Sequence, residues 1–248
     1  MTEAAPALPA PGKDVVPRWG LGDAAGGLLL AVTLSMLTYA LVLAASGRTA
    51  DDDLSLGWTL LATTGLWAGF IAVPLVVTRL KGRGPVKDLG LKVRWIDLPV
   101  GLLIGAVAQV ALLVLYVPIF VLFDKSQSDV DAPARELGDL VNGPASAVIL
   151  LVIVVIGAPI AEEIFYRGLV LRSLMKRGLP GGVSVLITAL VFAATHLQDL
   201  ATWLLLLPGL VFAGVVFGAL ALRTGRLGTS IAAHMGFNLV TAIALLAS

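Results

Sequence analysis

Cysteine is absent from this chain of 248 residues, and charged residues make up only 13% of it. The missing thiols exclude disulfide bonds, thiolate metal sites and a cysteine nucleophile together. A soluble domain carries about 25% charged residues, so the low charge content also excludes a soluble globular protein. The net charge of +1 gives no electrostatic basis for binding nucleic acid.

Apolar residues take the place of the missing charges, at 58% of the chain with a mean hydropathy of +0.97. A membrane-spanning helix needs about 20 predominantly apolar residues, and we count seven such segments. The sequence therefore predicts an all-α, polytopic bundle of about seven transmembrane helices. The predicted spans are residues 24–46, 56–78, 97–122, 145–166, 181–198, 201–222 and 228–247.

The chain divides into three predicted parts. Residues 1–20 are rich in Ala and Pro and predict a disordered cytoplasmic tail. Residues 21–95 hold two spans and a basic loop, and residues 96–248 hold the remaining spans. Very short connectors join the last spans, so we expect the last four to form one compact bundle.

Lys and Arg concentrate on one side of the predicted membrane, and this bias sets the orientation. The opposite side holds only Arg48, Lys125 and Arg135, within acidic loops. We therefore expect a cytoplasmic N-terminus, an outside C-terminus, and a solvated outer connector at 124–143. The composition, rich in Ala, Gly, Leu and Val, is typical of a high-GC bacterium, so the predicted location is the bacterial inner membrane.

Two adjacent carboxylates, Glu162 and Glu163, interrupt a predicted span, where ionisable groups are costly and mark function. Glu163 and Arg167 are four residues apart, so they can pair along one helical face. Glu162 points about 100° away and needs a partner from another span. The only two histidines of the chain, His196 and His234, both lie inside spans and are the candidates.

Further polar spacing supports one shared, wet cavity. Phe192 with His196, and His234 with Asn238, are four residues apart, so each pair lies on one face. Pro159 removes a backbone hydrogen bond just before the carboxylates and predicts a loosened or kinked helix that admits water.

Each feature also has a simpler interpretation. An intramembrane Glu–Arg pair can serve only to hold helices together, and a membrane-buried histidine is often an interhelical hydrogen-bond donor. Phe192 by itself predicts packing, as do Gln109 and Tyr116. Asp97 and Asp199 lie at predicted span ends, where we expect their carboxylates to reach water.

Three ordered motifs resemble a known family. The motif EExxxR occurs at Glu162–Arg167, FxxxH at Phe192–His196 and HxxxN at His234–Asn238. Together they resemble the CPBP family of CAAX proteases and bacteriocin-processing (Abi) membrane proteins, which includes the Ras-converting prenyl endopeptidase. The resemblance covers roughly residues 85–248 and is strongest from residue 145 onward.

The resemblance implies a role for each residue. Glu162 and His196 would activate a water molecule, and His234 and Asn238 would stabilise the oxyanion. Supporting positions are implied at Glu163, Arg167 and Phe192. We expect no cofactor, since HExxH is absent. Zinc remains an alternative, with ligands Glu162, His196 and His234.

Three functions follow as hypotheses. The first is an intramembrane endopeptidase that hydrolyses a peptide bond of a membrane-associated peptide or protein. The second is a non-catalytic bacteriocin-immunity or scaffolding protein on the same framework. A proton-coupled transporter is less favoured, because the chain shows one interrupted polar helix and no matching second half.

Overall fold

The computed structural model describes residues 16–197 and 199–247, and all regular secondary structure in these ranges is helical. The helices are α1 (Leu21–Ser46), α2 (Leu56–Lys81), α3 (Pro85–Asp88), α4 (Asp97–Phe123), α5 (Gln127–Gly138), α6 (Pro144–Lys176), α7 (Gly181–Ala194), α8 (Leu200–Thr224) and α9 (Gly228–Ala247). Most of the predicted tail, residues 1–15, lies outside the described residues.

Six of the described helices are long and apolar enough to cross a membrane, namely α1, α2, α4, α6, α8 and α9. The protein is thus an all-α, multi-pass membrane bundle, which confirms the predicted fold class. The helices alternate in direction, so α1, α4, α7 and α9 begin at the end of the bundle where α2, α6 and α8 finish. Below, this end is called the basic end, because most Lys and Arg residues lie there.

Helix α7 is shorter than the fifth predicted span. Its 14 residues measure about 21 Å, less than the roughly 30 Å of a hydrocarbon core. The helix ends because the backbone N–H of His196 donates to Ala193 rather than to Phe192. The free Phe192 carbonyl instead accepts from the Thr195 hydroxyl and contacts the His196 ring. The predicted range 181–198 is therefore corrected to Gly181–Ala194, and His196 lies in the following turn.

Helix α6 is longer than the fourth predicted span. It runs for 33 residues, so the two glutamates lie in its middle and not at its end. Widened turns of the π type occupy Val152–Gly157 and Glu163–Val170. In such turns each backbone N–H bonds to the carbonyl five residues earlier instead of four. They are frequent at functional sites. The helix is irregular next to Pro159, as predicted, because the first widened stretch ends at Gly157, two residues before this proline.

Three GxxxG motifs bring helix pairs into close contact. Gly65 and Gly69 place α2 against the backbone of α1 at Leu34 and Ala31. In the same way, Gly101 and Gly105 place α4 against α9 at Ala232 and Ala233, and Gly214 and Gly218 place α8 against α7 at Ala189 and Val185. Small residues let helices approach closely in lipid, where no hydrophobic effect drives association. These contacts join α1 to α2, α4 to α9, and α7 to α8.

A tyrosine bonds across the backbone of α8. The Tyr116 hydroxyl of α4 donates to the Leu205 carbonyl and accepts from the Gly209 N–H. This bridge lies next to Pro208, which has no N–H to donate within the helix. On the same helix, the Gln109 amide donates to Thr241 of α9. The predicted packing roles of Tyr116 and Gln109 agree with these contacts.

Three predicted loop or terminal features differ in the structure. Asp97 is 1% exposed, because Arg226, Thr229 and the Arg94 N–H bond its carboxylate away from water. The predicted connector at 124–143 contains α5, a 12-residue helix that packs near α9. Trp19, inside the predicted tail, is 3% exposed, so the chain is packed against the bundle at this residue.

Candidate active site

The predicted Glu163–Arg167 pair is present at the centre of α6. Arg167 Nη1 donates to Glu163 Oε1 over 2.8 Å, and both side chains have no exposure. Arg167 also donates to the Gly214 carbonyl of α8 over 3.2 Å. The guanidinium carbon lies 4.9 Å from the Phe192 ring centre and 5.5 Å from that of Phe217. Aromatic faces and a carboxylate therefore enclose the charge of Arg167.

Glu163 is the centre of a buried network that joins α6 to α9. The Ser230 hydroxyl donates to Glu163 Oε2, and it also contacts the Phe217 carbonyl. Nδ1 of His234 lies 3.0 Å from Glu163 Oε1. Sequence reasoning missed Ser230, although its spacing of four residues from His234 places both on one face of α9.

Glu162 differs sharply from its neighbour. Within the described ranges its carboxylate accepts no hydrogen bond, and its side chain is 14% exposed against none for Glu163. The nearest ionisable atom is Nε2 of His234, which lies 3.9 Å from Glu162 Oε2. The structure therefore leaves Glu162 available for another donor, whereas Glu163 is fully occupied.

His234 lies between the two carboxylates with its two nitrogens in different surroundings. Because a carboxylate only accepts hydrogen bonds, the Nδ1 atom beside Glu163 carries a proton. Nε2 then faces Glu162 and donates only if the ring is doubly protonated. The ring stacks on Phe217, with ring centres 4.5 Å apart.

His196 is held by the end of α7. Its Nδ1 lies 2.7 Å from the Phe192 carbonyl, an acceptor, so Nδ1 carries the proton and Nε2 of the neutral ring is left as an acceptor. The predicted packing of Phe192 beside His196 is confirmed by ring centres 4.5 Å apart. Phe192 also lies 6.1 Å from the His234 ring, so one phenyl group contacts both imidazoles.

The side chain of Asn238 forms a hydrogen bond that the sequence did not predict. Its amide donates to the Val154 carbonyl of α6 over 2.8 Å. In the widened turn the N–H of Ala158 bonds five residues back, to Ile153. The next N–H in that series would come from Pro159 and bond Val154, but proline has none. Asn238 supplies the missing donor and thereby ties α9 to the proline position of α6.

The predicted site residues do not all touch one another. Glu162, Glu163, Arg167 and His234 form one connected cluster, and Phe192 packs against it. His196 forms no ion pair with a carboxylate in the described ranges, and its link to the cluster is Phe192. Asn238 is one helical turn beyond His234 on α9.

The sequence left zinc as an alternative, with Glu162, His196 and His234 as its ligands. In the ranges that the structure describes, no three side chains of His, Cys, Asp or Glu are grouped so that they could hold a metal ion. The alternative set Glu162, His196 and His234 does not form such a group in these ranges.

Comparison with protein families bears on the same segment. Residues 144–240 match the family model described as type II CAAX prenyl endopeptidase Rce1-like. The family resemblance is confirmed. The matched segment spans α6 to most of α9, so it contains the complete Glu163 network together with Glu162, His196 and Asn238. No curated protein and no solved structure matches the chain.

The match covers less than half of the chain, and it supports a CAAX-type intramembrane endopeptidase in general. Helices α1 to α5 lie outside it. These helices nevertheless contact the matched segment, since α4 packs on α9 and Phe70 of α2 stacks on Phe165 of α6.

Proposed function

We propose that this protein is a glutamate-dependent intramembrane endopeptidase in which Glu162 and His196 activate water. The observation that supports this most is the unequal partnering of adjacent carboxylates. Glu163 is saturated by Arg167, Ser230 and His234, whereas Glu162 has no donor among the described residues. A carboxylate without donors, held beside the His234 imidazole in a protein interior, is suited to accept a proton from water.

In this proposal the water oxygen attacks the carbonyl carbon of the scissile peptide bond. The water proton moves to the Glu162 carboxylate, or to Nε2 of His196, which is the free acceptor of that ring. The carbonyl oxygen becomes an oxyanion. Collapse breaks the C–N bond, and the stored proton passes to the leaving amine, which yields one new carboxyl and one new amino terminus.

His234 and Asn238 are the proposed oxyanion donors. Since Nδ1 of His234 donates to Glu163, Nε2 donates to an oxyanion only from the doubly protonated ring. The Asn238 amide uses one N–H on Val154 and retains a second. Removing one oxyanion donor typically slows an enzyme about 10²–10³-fold. Glu163 and Arg167 act as positioning residues that orient His234.

The substrate is proposed to be a membrane-associated peptide or protein in the bacterial inner membrane. The proposed orientation places the basic end, the N-terminus and residues such as Arg177 in the cytoplasm, and the C-terminus outside. Because the glutamates lie in the middle of α6, the bond to be cut must reach lipid-buried depth. A comparison of membrane proteomes from cells with the wild-type and Glu162→Ala proteins would reveal the substrate.

The direct test uses purified protein and a membrane peptide, with new termini detected by mass spectrometry. Glu162→Ala, His196→Ala and His234→Ala are each expected to lose at least about 10²-fold in cleavage rate. Unchanged cleavage in all three variants would reject the proposal. Activity that survives thorough chelation supports the metal-free form, and activity restored only by added zinc would contradict it.

The other two functional hypotheses predict different results for Glu162→Gln. A bacteriocin-immunity or scaffolding protein would keep its cellular effect and its partner in this variant. A proton-coupled transporter would show uptake in liposomes that the variant abolishes.

A further inference from the structure

A cavity of about 370 Å³ lies at the basic end of the bundle, where α1 begins and where α2 and α6 finish. Its wall includes Trp19, Arg83, Lys87, Asp88, Arg172 and Lys176. A water molecule takes about 30 Å³ of liquid, so the cavity has room for a far larger group. It is separate from the proposed active site, whose residues are absent from its wall.

The cavity has an excess of positive charge. Four cationic side chains face one carboxylate, that of Asp88. Asp88 accepts from the Trp19 indole over 3.0 Å, from the Arg83 backbone over 2.7 Å and from Arg83 Nε over 2.9 Å. Burial opposes its ionisation, but these donors outweigh burial and hold the pKa of the Asp88 carboxyl below its usual range. Asp88 thus forms its ion pair with Arg83, and it forms none with Lys87, Arg172 or Lys176.

Two of those cations have N–H donors without acceptors. Arg172 donates from one terminal nitrogen to the Gly225 carbonyl over 2.9 Å, but its buried Nε has no hydrogen-bond partner in the described part of the chain. Lys87 is exposed and forms no hydrogen bond or ion pair with any described residue. A buried N–H without an acceptor is unfavourable. The Nε of Arg172 is therefore suited to donate to a bound group, since no described residue supplies its acceptor.

Lys176 and Trp19 place the cavity at the membrane surface. The Lys176 ammonium donates to the Pro17 and Trp19 carbonyls and lies 4.0 Å from the Trp19 ring centre. Trp19 lies two residues before the start of α1, and Lys176 is the last residue of α6. Tryptophan and lysine at span ends are typical of the level of lipid headgroups.

We propose that this cavity binds the phosphate-bearing headgroup of an anionic phospholipid. Arginine offers planar paired donors to phosphate oxygens, and lysine offers a point charge. Basic pockets between transmembrane helices recognise acidic headgroups by the same chemistry. Inorganic phosphate shares that chemistry but lacks acyl chains, so the two sources are separated experimentally. The proposal does not depend on proteolysis.

The test measures lipid binding to the full-length protein by native mass spectrometry. The probes are dioleoylphosphatidylglycerol, dioleoylphosphatidylcholine and inorganic phosphate, each added to protein in neutral detergent. The wild type is expected to retain one phosphatidylglycerol in preference to phosphatidylcholine. Lys87→Gln is expected to weaken that binding about fivefold and Lys87→Gln/Arg172→Gln about 30-fold, since each cation contributes a similar factor.

The matched control is Arg79→Gln/Arg223→Gln, which removes two exposed charges from the same end without touching the cavity wall. It should leave phosphatidylglycerol binding unchanged. An equal loss in the control pair would show non-specific surface attraction and overturn the proposal. Absence of any preference for phosphatidylglycerol would overturn it too, as would saturation by inorganic phosphate alone. The single Lys87→Gln variant keeps the test decisive if the double variant does not fold.

Discussion

Two buried acidic clusters of this protein look alike but differ in one respect. The end clamp joins Asp97 to Arg226 and Thr229 at the basic end, and the site network joins Glu163 to Arg167, Ser230 and His234. Each acid is at most 1% exposed and pairs with an arginine and a hydroxyl.

The difference lies in what adjoins each cluster. The end clamp closes on itself, and Arg226 reaches solvent with 19% exposure. The site network has no exposed member, but beside it lies Glu162, a second acid without a donor in the described ranges. Burial of a carboxylate therefore does not by itself indicate chemistry. In the proposed function the chemistry belongs to the carboxylate without donors, Glu162, and not to the saturated one.

The largest expected effect comes from breaking the site network. Glu163→Gln leaves the Arg167 charge buried without a counter-ion, so we expect a loss of about 3–5 kcal/mol in stability. Thermal unfolding in detergent measures it. Glu163→Gln/Arg167→Met removes both charges and should be much less destabilised than the two single variants combined. Simple additivity would contradict the network.

Breaking the end clamp should cost less. Asp97→Asn removes the charge that Arg226 pairs with, but Arg226 can turn toward water, so we expect about 1–3 kcal/mol. The same unfolding experiment gives the value. Because the clamp is structural, peptide cleavage below the unfolding temperature should stay at the wild-type rate. A selective loss of cleavage would contradict the division between the two clusters.

The link from α9 to Pro159 predicts a rescue. Asn238→Ala leaves the Val154 carbonyl without its donor and should cost about 1 kcal/mol. In a Pro159→Ala background the restored backbone N–H can serve that carbonyl, so the same substitution should cost less stability. Cleavage should not be restored, because the proposed oxyanion donor is still missing. An equal stability loss in both backgrounds would refute this account of Asn238.

The smallest effect concerns Asp88, a third buried acid, and depends on pH. Because its pKa is lowered in the folded state, ionised Asp88 stabilises the fold at pH values above the ordinary pKa of an aspartate, and this contribution is lost as pH falls through the lower folded-state pKa. Asp88→Asn should therefore lower the unfolding temperature near pH 7. The difference from the wild type should shrink on acidification below about pH 4. The control Asp53→Asn, in an exposed loop, should show no such convergence.

The sequence predicted the fold class and the Glu163–Arg167 pair because both depend on local rules. Hydropathy marks helices that must satisfy their own backbone in lipid, and four-residue spacing fixes contacts along one helix. The pairing of Phe192 with His196 follows from the same spacing.

Contacts between helices were less predictable. The sequence offered His196 and His234 equally as partners of Glu162, and only the packing of α9 on α6 places His234 nearest. The end of α7 at Ala194 depends on competition for the Phe192 carbonyl, which hydropathy does not register. Asp97 seemed exposed because its partner Arg226 is far away in sequence.

The most direct test of the central claim compares Glu162→Gln with Glu163→Gln in one cleavage and unfolding experiment. Glu162→Gln should lose at least about 10²-fold in cleavage rate and keep the wild-type unfolding temperature, because no described donor depends on that carboxylate. Glu163→Gln should be the variant that unfolds early. Wild-type cleavage by Glu162→Gln would contradict the account, since the free carboxylate would then have no part in the reaction.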